Sequence, residues 1–188
     1  LDTSNAIKQA AEYGIVEGGQ KLAALLFTLS EVHGLGLKVA QGLTLTEGWY
    51  WDANDETRAF GQRYMKRTGR MPNMIQAGTY SAVLSYLKAV KAAGTDETDA
   101  VNAKLKELPV DDVFAHGGIV QPNGRMVHDM YLFEVKKPAE SKGPWDPYQL
   151  IPPIPGQEAP ATAAESGCPL PAAQSENGRA SARARADV

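Results

Sequence analysis

The stretch Leu22-Ala23-Ala24-Leu25-Leu26-Phe27-Thr28 constrains the fold more than any other segment of the chain. It is a continuous apolar run set between Gly18-Gly19 and the glycine-punctuated residues 31–36. A run of this length, bounded by polar and turn-forming residues, reads as a buried strand of a parallel sheet, because such strands are covered on both faces. Just upstream, Ala6, Ile7, Ala10 and Ala11 recur at helical spacing over residues 3–13, with Thr3 or Ser4 as N-cap and Gly14 as the stop. Helix followed by buried strand predicts an α/β fold.

The same reading extends downstream. Leu43 and Leu45 alternate with Thr44 and Thr46 as a second strand would, and Glu47-Gly48-Trp49-Tyr50-Trp51 follows directly. Asp52 and Asp55 offer caps for a helix over 54–67. Residues 74–93 form the strongest helical pattern, with Ala77, Tyr80, Leu84, Leu87, Ala89 and Val90 making a broad apolar face that Gly94 ends. Thr95 or Asp96 caps a further helix that runs to Leu108 and stops at Pro109. Residues 113–135 read as a hairpin: Gly118-Ile119-Val120, a turn at Pro122-Asn123-Gly124, then alternating Tyr131, Phe133 and Val135. From about residue 156 to Val188 no periodic apolar pattern remains, and the composition predicts a mostly disordered tail.

Composition excludes several functions. A net charge of -3 and the lack of a Lys/Arg cluster give no basic field for nucleic acid; Arg179 to Arg185, where Arg alternates with Ala and Ser, reads as a solvated end. No apolar run approaches the roughly 20 residues that span a bilayer. The chain starts at Leu1 and runs straight into a helix, so the sequence reads as cut from something longer and carries no visible targeting signal.

Chemistry-bearing motifs are sparse. His33, His116 and His128 are scattered, without the spacing that puts two metal ligands on one helical face, although His128-Asp129 suggests a hydrogen-bonded pair. Gly34-Leu35-Gly36 is only a fragment of a nucleotide-binding fingerprint, and no nucleophile elbow or phosphate loop follows a strand. Asp111-Asp112 and Asp55-Glu56 read as caps and solvated surface. No cofactor is predicted. Cys168, in Ser166-Gly167-Cys168-Pro169, has no neighbouring base to activate it. Glu31 stands apart, because it follows the presumed strand at its carboxyl end, where open α/β sheets bind ligands, and a carboxylate there could hold an ammonium group; a place beside a helix N-cap is the other reading. His33 lies in the same strand-end loop. Trp49, Tyr50 and Trp51 follow the second strand, where they either pack the core or line a small-molecule pocket.

Several of these segments, in this order and spacing, carry a resemblance. Residues 3–14, then Ser30-Glu31-Val32-His33-Gly34-Leu35-Gly36, Ala40-Gln41-Gly42-Leu43-Thr44-Leu45-Thr46-Glu47-Gly48-Trp49-Tyr50-Trp51, residues 76–84 and residues 123–136 resemble the periplasmic branched-chain amino-acid-binding family of ABC importer receptors. The likeness covers residues 1 to about 155, with a local patch at Glu165-Ser166-Gly167-Cys168-Pro169-Leu170. It implies an incomplete two-lobed α/β periplasmic-binding fold: 1–46 in the C-terminal lobe, a hinge crossing at 47–52, 53–120 in the N-terminal lobe, and 121–155 a hairpin and return across the hinge. It also implies a non-enzymatic, periplasmic receptor, monomeric and made with a signal peptide in its parent form, that binds an amino acid or related carboxylate and delivers it to a membrane permease. Glu31 matches the family's acidic ligand for the substrate ammonium, with His33, Trp49 and Tyr50 as further ligand-binding residues. The family's carboxylate-binding residues fall upstream of Leu1, the residues after Leu170 depart from its pattern, and Cys168 is expected to pair with a cysteine in the parent's other half. A ligand-sensing domain of the same fold, or a fragment of an α/β enzyme, are the alternatives.

Overall fold

The computed structural model describes residues 2–156 and 158; the expected tail, Cys168 and the Arg179 to Arg185 stretch lie outside them. In chain order the elements are α1 (Asp2–Glu12), β1 (Ala23–Ala24), α2 (Leu29–Leu35), α3 (Leu37–Ala40), β2 (Thr44–Glu47), α4 (Asp55–Thr68), α5 (Met74–Ala93), α6 (Thr98–Glu107), β3 (Ile119–Val120), β4 (Met126–Val127), β5 (Met130–Val135), a 3-10 turn at Pro138–Glu140, and β6 (Tyr148–Ile154).

Capping chemistry sets the helix boundaries. The Asn73 side chain accepts from the Ile75 amide at 2.8 Å while Gln76 accepts from the Asn73 amide at 2.8 Å, which starts α5 where its pattern starts. At α4 the cap is Asn54 rather than Asp52 or Asp55: its extended backbone lets the side chain take the Thr57 amide at 2.9 Å. The two aspartates hold Arg58 instead, at 2.9 and 2.7 Å. Glu97, not Thr95 or Asp96, caps α6 by accepting from the Asp99 and Ala100 amides. Gly69 and Gly94 end α4 and α5 in the left-handed conformation, with φ of 75° and 68°, that residues with a Cβ avoid.

The main sheet has the order β1-β2-β5-β6, and only β1 and β2 run parallel. This corrects the expected strand at 22–28. Pairing is confined to Ala23 and Ala24 at the sheet edge, after which Leu25 and Leu26 stand 96% and 71% exposed. The chain then enters α2 at Leu29. The apolar run therefore reflects three environments, edge strand, open turn and helix start, rather than one buried strand. The hairpin is also shorter than expected. Ile119 and Val120 pair with Val127 and Met126 around Gly124, whereas 130–135 leaves that hairpin and pairs with β2 and β6. β6, which contains Pro152-Pro153, is an edge strand, the place in a sheet where proline is tolerated.

Two apolar clusters form. One gathers Leu29, Val32, Leu43, Leu45, Tyr50, Phe133, Val135 and Tyr148 on the sheet; the other gathers Trp49, Phe60, Ala77 and Val113 around α4 and α5. Trp51 packs against both. Consecutive residues Trp49 and Tyr50 thus enter different clusters.

Candidate ligand-binding site

The site begins at the start of α2. Thr28 is extended, with φ of -111° and ψ of 174°, and precedes the first helical residue, Leu29. Glu31, two residues on, folds back: its Oε2 accepts from the Thr28 amide at 2.9 Å and from the Thr28 hydroxyl. This is the helix-cap reading of Glu31, and it holds the carboxylate in one orientation. The residue is exposed, and Oε1 takes no hydrogen bond from the described residues. A fixed carboxylate with one open oxygen is suited to a cationic donor.

Beside it, Asn73 brings in the start of α5. Its Nδ2 donates to the Thr28 hydroxyl at 2.8 Å and to the Ser30 hydroxyl at 3.1 Å, and the Asn73 side chain is buried. Thr28, Ser30, Glu31 and Asn73 therefore make one polar cluster from two helix starts that are 43 to 45 residues apart in sequence.

The remaining expected residues sit elsewhere. The His33 ring stacks on Trp145 with centroids 3.8 Å apart, and its Nδ1 donates to the Pro144 carbonyl at 2.8 Å, so it faces the 141–147 loop. Trp49 is 2% exposed; its indole N–H donates to the Val113 carbonyl at 2.8 Å and its ring meets Phe60 edge-on. Tyr50 is buried among Phe133 and Tyr148, and burial pushes its hydroxyl well above the ordinary tyrosine range. Both aromatic side chains are packed against the chain's own atoms. His128 places Nδ1 against the Asp129 backbone carbonyl at 2.7 Å, not against its carboxylate.

Glu47 went unnoticed in the sequence although a signal was there. The alternation Leu43, Leu45 puts the next inward position at 47, and Glu47 is indeed fully buried. Its Oε1 accepts from the Leu29 amide at 2.8 Å and the Tyr148 hydroxyl at 2.7 Å, and its Oε2 from the Met74 amide at 3.4 Å. Burial pushes its carboxyl up to about 7, against the lowering effect of those bonds. Gly48 beside it leaves room for the His128 ring, which a Cβ would meet at 2.7 Å. A hollow between α1, α3 and the strand ends at Leu43 and Val135 lies away from this cluster; neither Glu31 nor Glu47 lines it. Among the described residues no group of His, Cys, Asp and Glu gathers as a metal site, and no helix is long and apolar enough to cross a membrane.

Comparison with known proteins bears on the family and the fold. A family model described as periplasmic binding protein matches residues 2–144. A crystal structure of a periplasmic binding protein from Burkholderia mallei superposes with a TM-score of 0.84 at 50% identity, covering 90% of this chain and 44% of its own. A branched chain amino acid ABC transporter periplasmic ligand-binding protein from Burkholderia xenovorans gives 0.81 at 40% identity, covering 89% of this chain and 45% of its own. A leucine-, isoleucine-, valine-, threonine- and alanine-binding protein from Brucella ovis, in its closed conformation, shares the fold at 18% identity with a TM-score of 0.71. No curated protein matches. The chain spans less than half the length of the solved structures it resembles. With the family model matching residues 2–144 and a 50%-identical structure superposing over 90% of the chain, this chain belongs to the periplasmic binding protein family.

Proposed function

We propose that the chain is part of the substrate-binding subunit of an ABC importer, which captures a branched-chain or related amino acid in the periplasm and delivers it to a membrane permease without chemistry. The observation that carries this reading is the orientation of Glu31, pinned through one oxygen by Thr28 and open at the other, beside the Ser30 and Asn73 side chains. In this reading Glu31 holds the substrate ammonium. His33 stacks on Trp145, and Trp49 and Tyr50 pack in the two cores, so in this reading they support the framework while Glu31 meets the ligand; the segment 47–52 is the hinge between residues 1–46 and 53–120, with 121–155 returning across it. Support comes from Trp49 and Tyr50 entering different cores, and from the 40%-identical Burkholderia xenovorans protein, whose description is that of a branched-chain amino acid receptor.

Titration with L-leucine, L-isoleucine and L-valine, followed by tryptophan fluorescence, tests it. The samples are the chain alone and the chain joined to the complementary portion of the Burkholderia mallei relative. The joined protein should saturate with one of the three and leave it chemically unchanged. Glu31→Gln should weaken that binding about tenfold to a hundredfold, the worth of a hydrogen bond to a charged group. A flat response to all three, or a Glu31→Gln affinity equal to the wild type, removes the reading.

A further inference from the structure

Glu47 is the one fully buried acidic side chain among the described residues, and the ligand reading leaves it unused. Its three hydrogen-bond partners share a feature. Leu29 is the first residue of α2, Met74 the first of α5 and Tyr148 the first of β6. One carboxylate at the end of β2 therefore holds the starts of three elements that lie 18, 27 and 101 residues from it. Amides at helix starts have no partner within their own helix, and the helix dipoles favour a negative charge there, which offsets part of the cost of burying it.

The two oxygens do different work. Oε1 carries the bonds from α2 and β6, and Oε2 carries the bond from α5. We propose that Glu47 is a positioning residue of the binding site: its carboxylate ties the start of α5 to the start of α2, and so fixes Glu31 relative to Asn73 without touching ligand. This rests on the receptor reading for its purpose, though not for its geometry. A proton on Oε2, or an amide nitrogen in its place, turns the acceptor facing Met74 into a donor and cuts that one arm, while Oε1 keeps Leu29 and Tyr148. Because burial places the carboxyl at about 7, ordinary buffers cross this change. The groups that face it are Tyr148 from β6, Glu31 from α2, Tyr50 from the crossing segment and, as its register partner on β5, Tyr131; the first turn of α5 carries no acidic side chain.

Amide hydrogen exchange of the 188-residue chain, read at Leu29 and Met74 by NMR on either side of pH 7 and corrected for intrinsic rates, tests the tether. Protection at Met74 should fall about fivefold as the pH drops through this range, the worth of one hydrogen bond, while Leu29 holds. Glu47→Gln should show the low-pH pattern at every pH. Tyr148→Phe, which removes a bond that lowers the carboxyl, should move the Met74 transition to higher pH while leaving the fold intact. A Met74 protection that is flat with pH, or that Glu47→Gln leaves at the wild-type alkaline level, overturns the proposal. Titration of the joined protein with L-leucine, L-isoleucine and L-valine keeps the two readings apart. Coupled exchange with no binding of any of the three retains the tether and removes the receptor; binding of the preferred amino acid equal in wild type and Glu47→Gln removes the positioning role.

Discussion

The first turn of α5 and its outward face are built in opposite ways. At the first turn, Asn73, Gln76, Thr28, Ser30 and Glu47 satisfy one another and the helix amides, and Ala77 beneath them is fully buried. Further along, Tyr80, Val83 and Leu87 stand 46%, 54% and 56% exposed, while the buried positions are the small Ala77, Ser81 and Ala89. The helix packs through its small residues and turns its large ones outward. An apolar pattern fixes that a helix has a face; which side is covered depends on what stands opposite.

Breaking the buried side should have the largest effect. Trp49 shares one cluster with Phe60 of α4, Ala77 of α5 and Val113, so Trp49→Ala leaves a cavity and strands the Val113 carbonyl. It should lower stability by about 3–5 kcal/mol, measured by urea unfolding. A loss under about 1 kcal/mol would mean that the second core does not depend on this ring.

A smaller effect, with a definite sign, comes from Glu47. Its carboxyl lies at about 7 in the folded chain against an ordinary 4.5, so between those values the folded state binds the extra proton. Stability should therefore be greatest below about pH 4.5 as far as this group is concerned, fall as the pH rises towards 7, and level off above it. At roughly 1.4 kcal/mol per pH unit the total is about 3 kcal/mol. Glu47→Gln should remove this slope. A slope equal in variant and wild type would assign the titration to another group, and His116 then becomes relevant. Asp111 and Glu56 raise the His116 ring at an exposed site, and its contribution is lost as the pH rises above 6.5.

Much of this architecture was legible in the sequence, for reasons that differ by region. The helix 74–93 was readable because its apolar pattern is long and Gly94 is a local stop whose chemistry does not depend on the rest of the fold. The strand 22–28 was misread because an apolar run records burial propensity, not pairing, and here Leu25 and Leu26 have no sheet partner. The partner of 130–135 was misread because Asn123-Gly124 fixes a turn without fixing how far the strands continue. In the site, Glu31 was visible through its position in the chain. Asn73 and Glu47 were not, because their partners are brought together only by tertiary structure.

The smallest expected effect on stability lies on the outward face, and it sharpens the comparison most. Replacing Val83 and Leu87 with Ser and Gln removes apolar side chains that are more than half exposed, so urea unfolding should shift by no more than about 0.5 kcal/mol for each. Association should respond more. Tyr80, Val83 and Leu87 follow one another at helical spacing, and a continuous exposed apolar stripe of this kind promotes self-association. Sedimentation of the wild-type chain should show concentration-dependent assembly that the double variant reduces. If the variant instead loses stability on the scale of Trp49→Ala, the face is covered in solution and the contrast between the two sides of α5 fails.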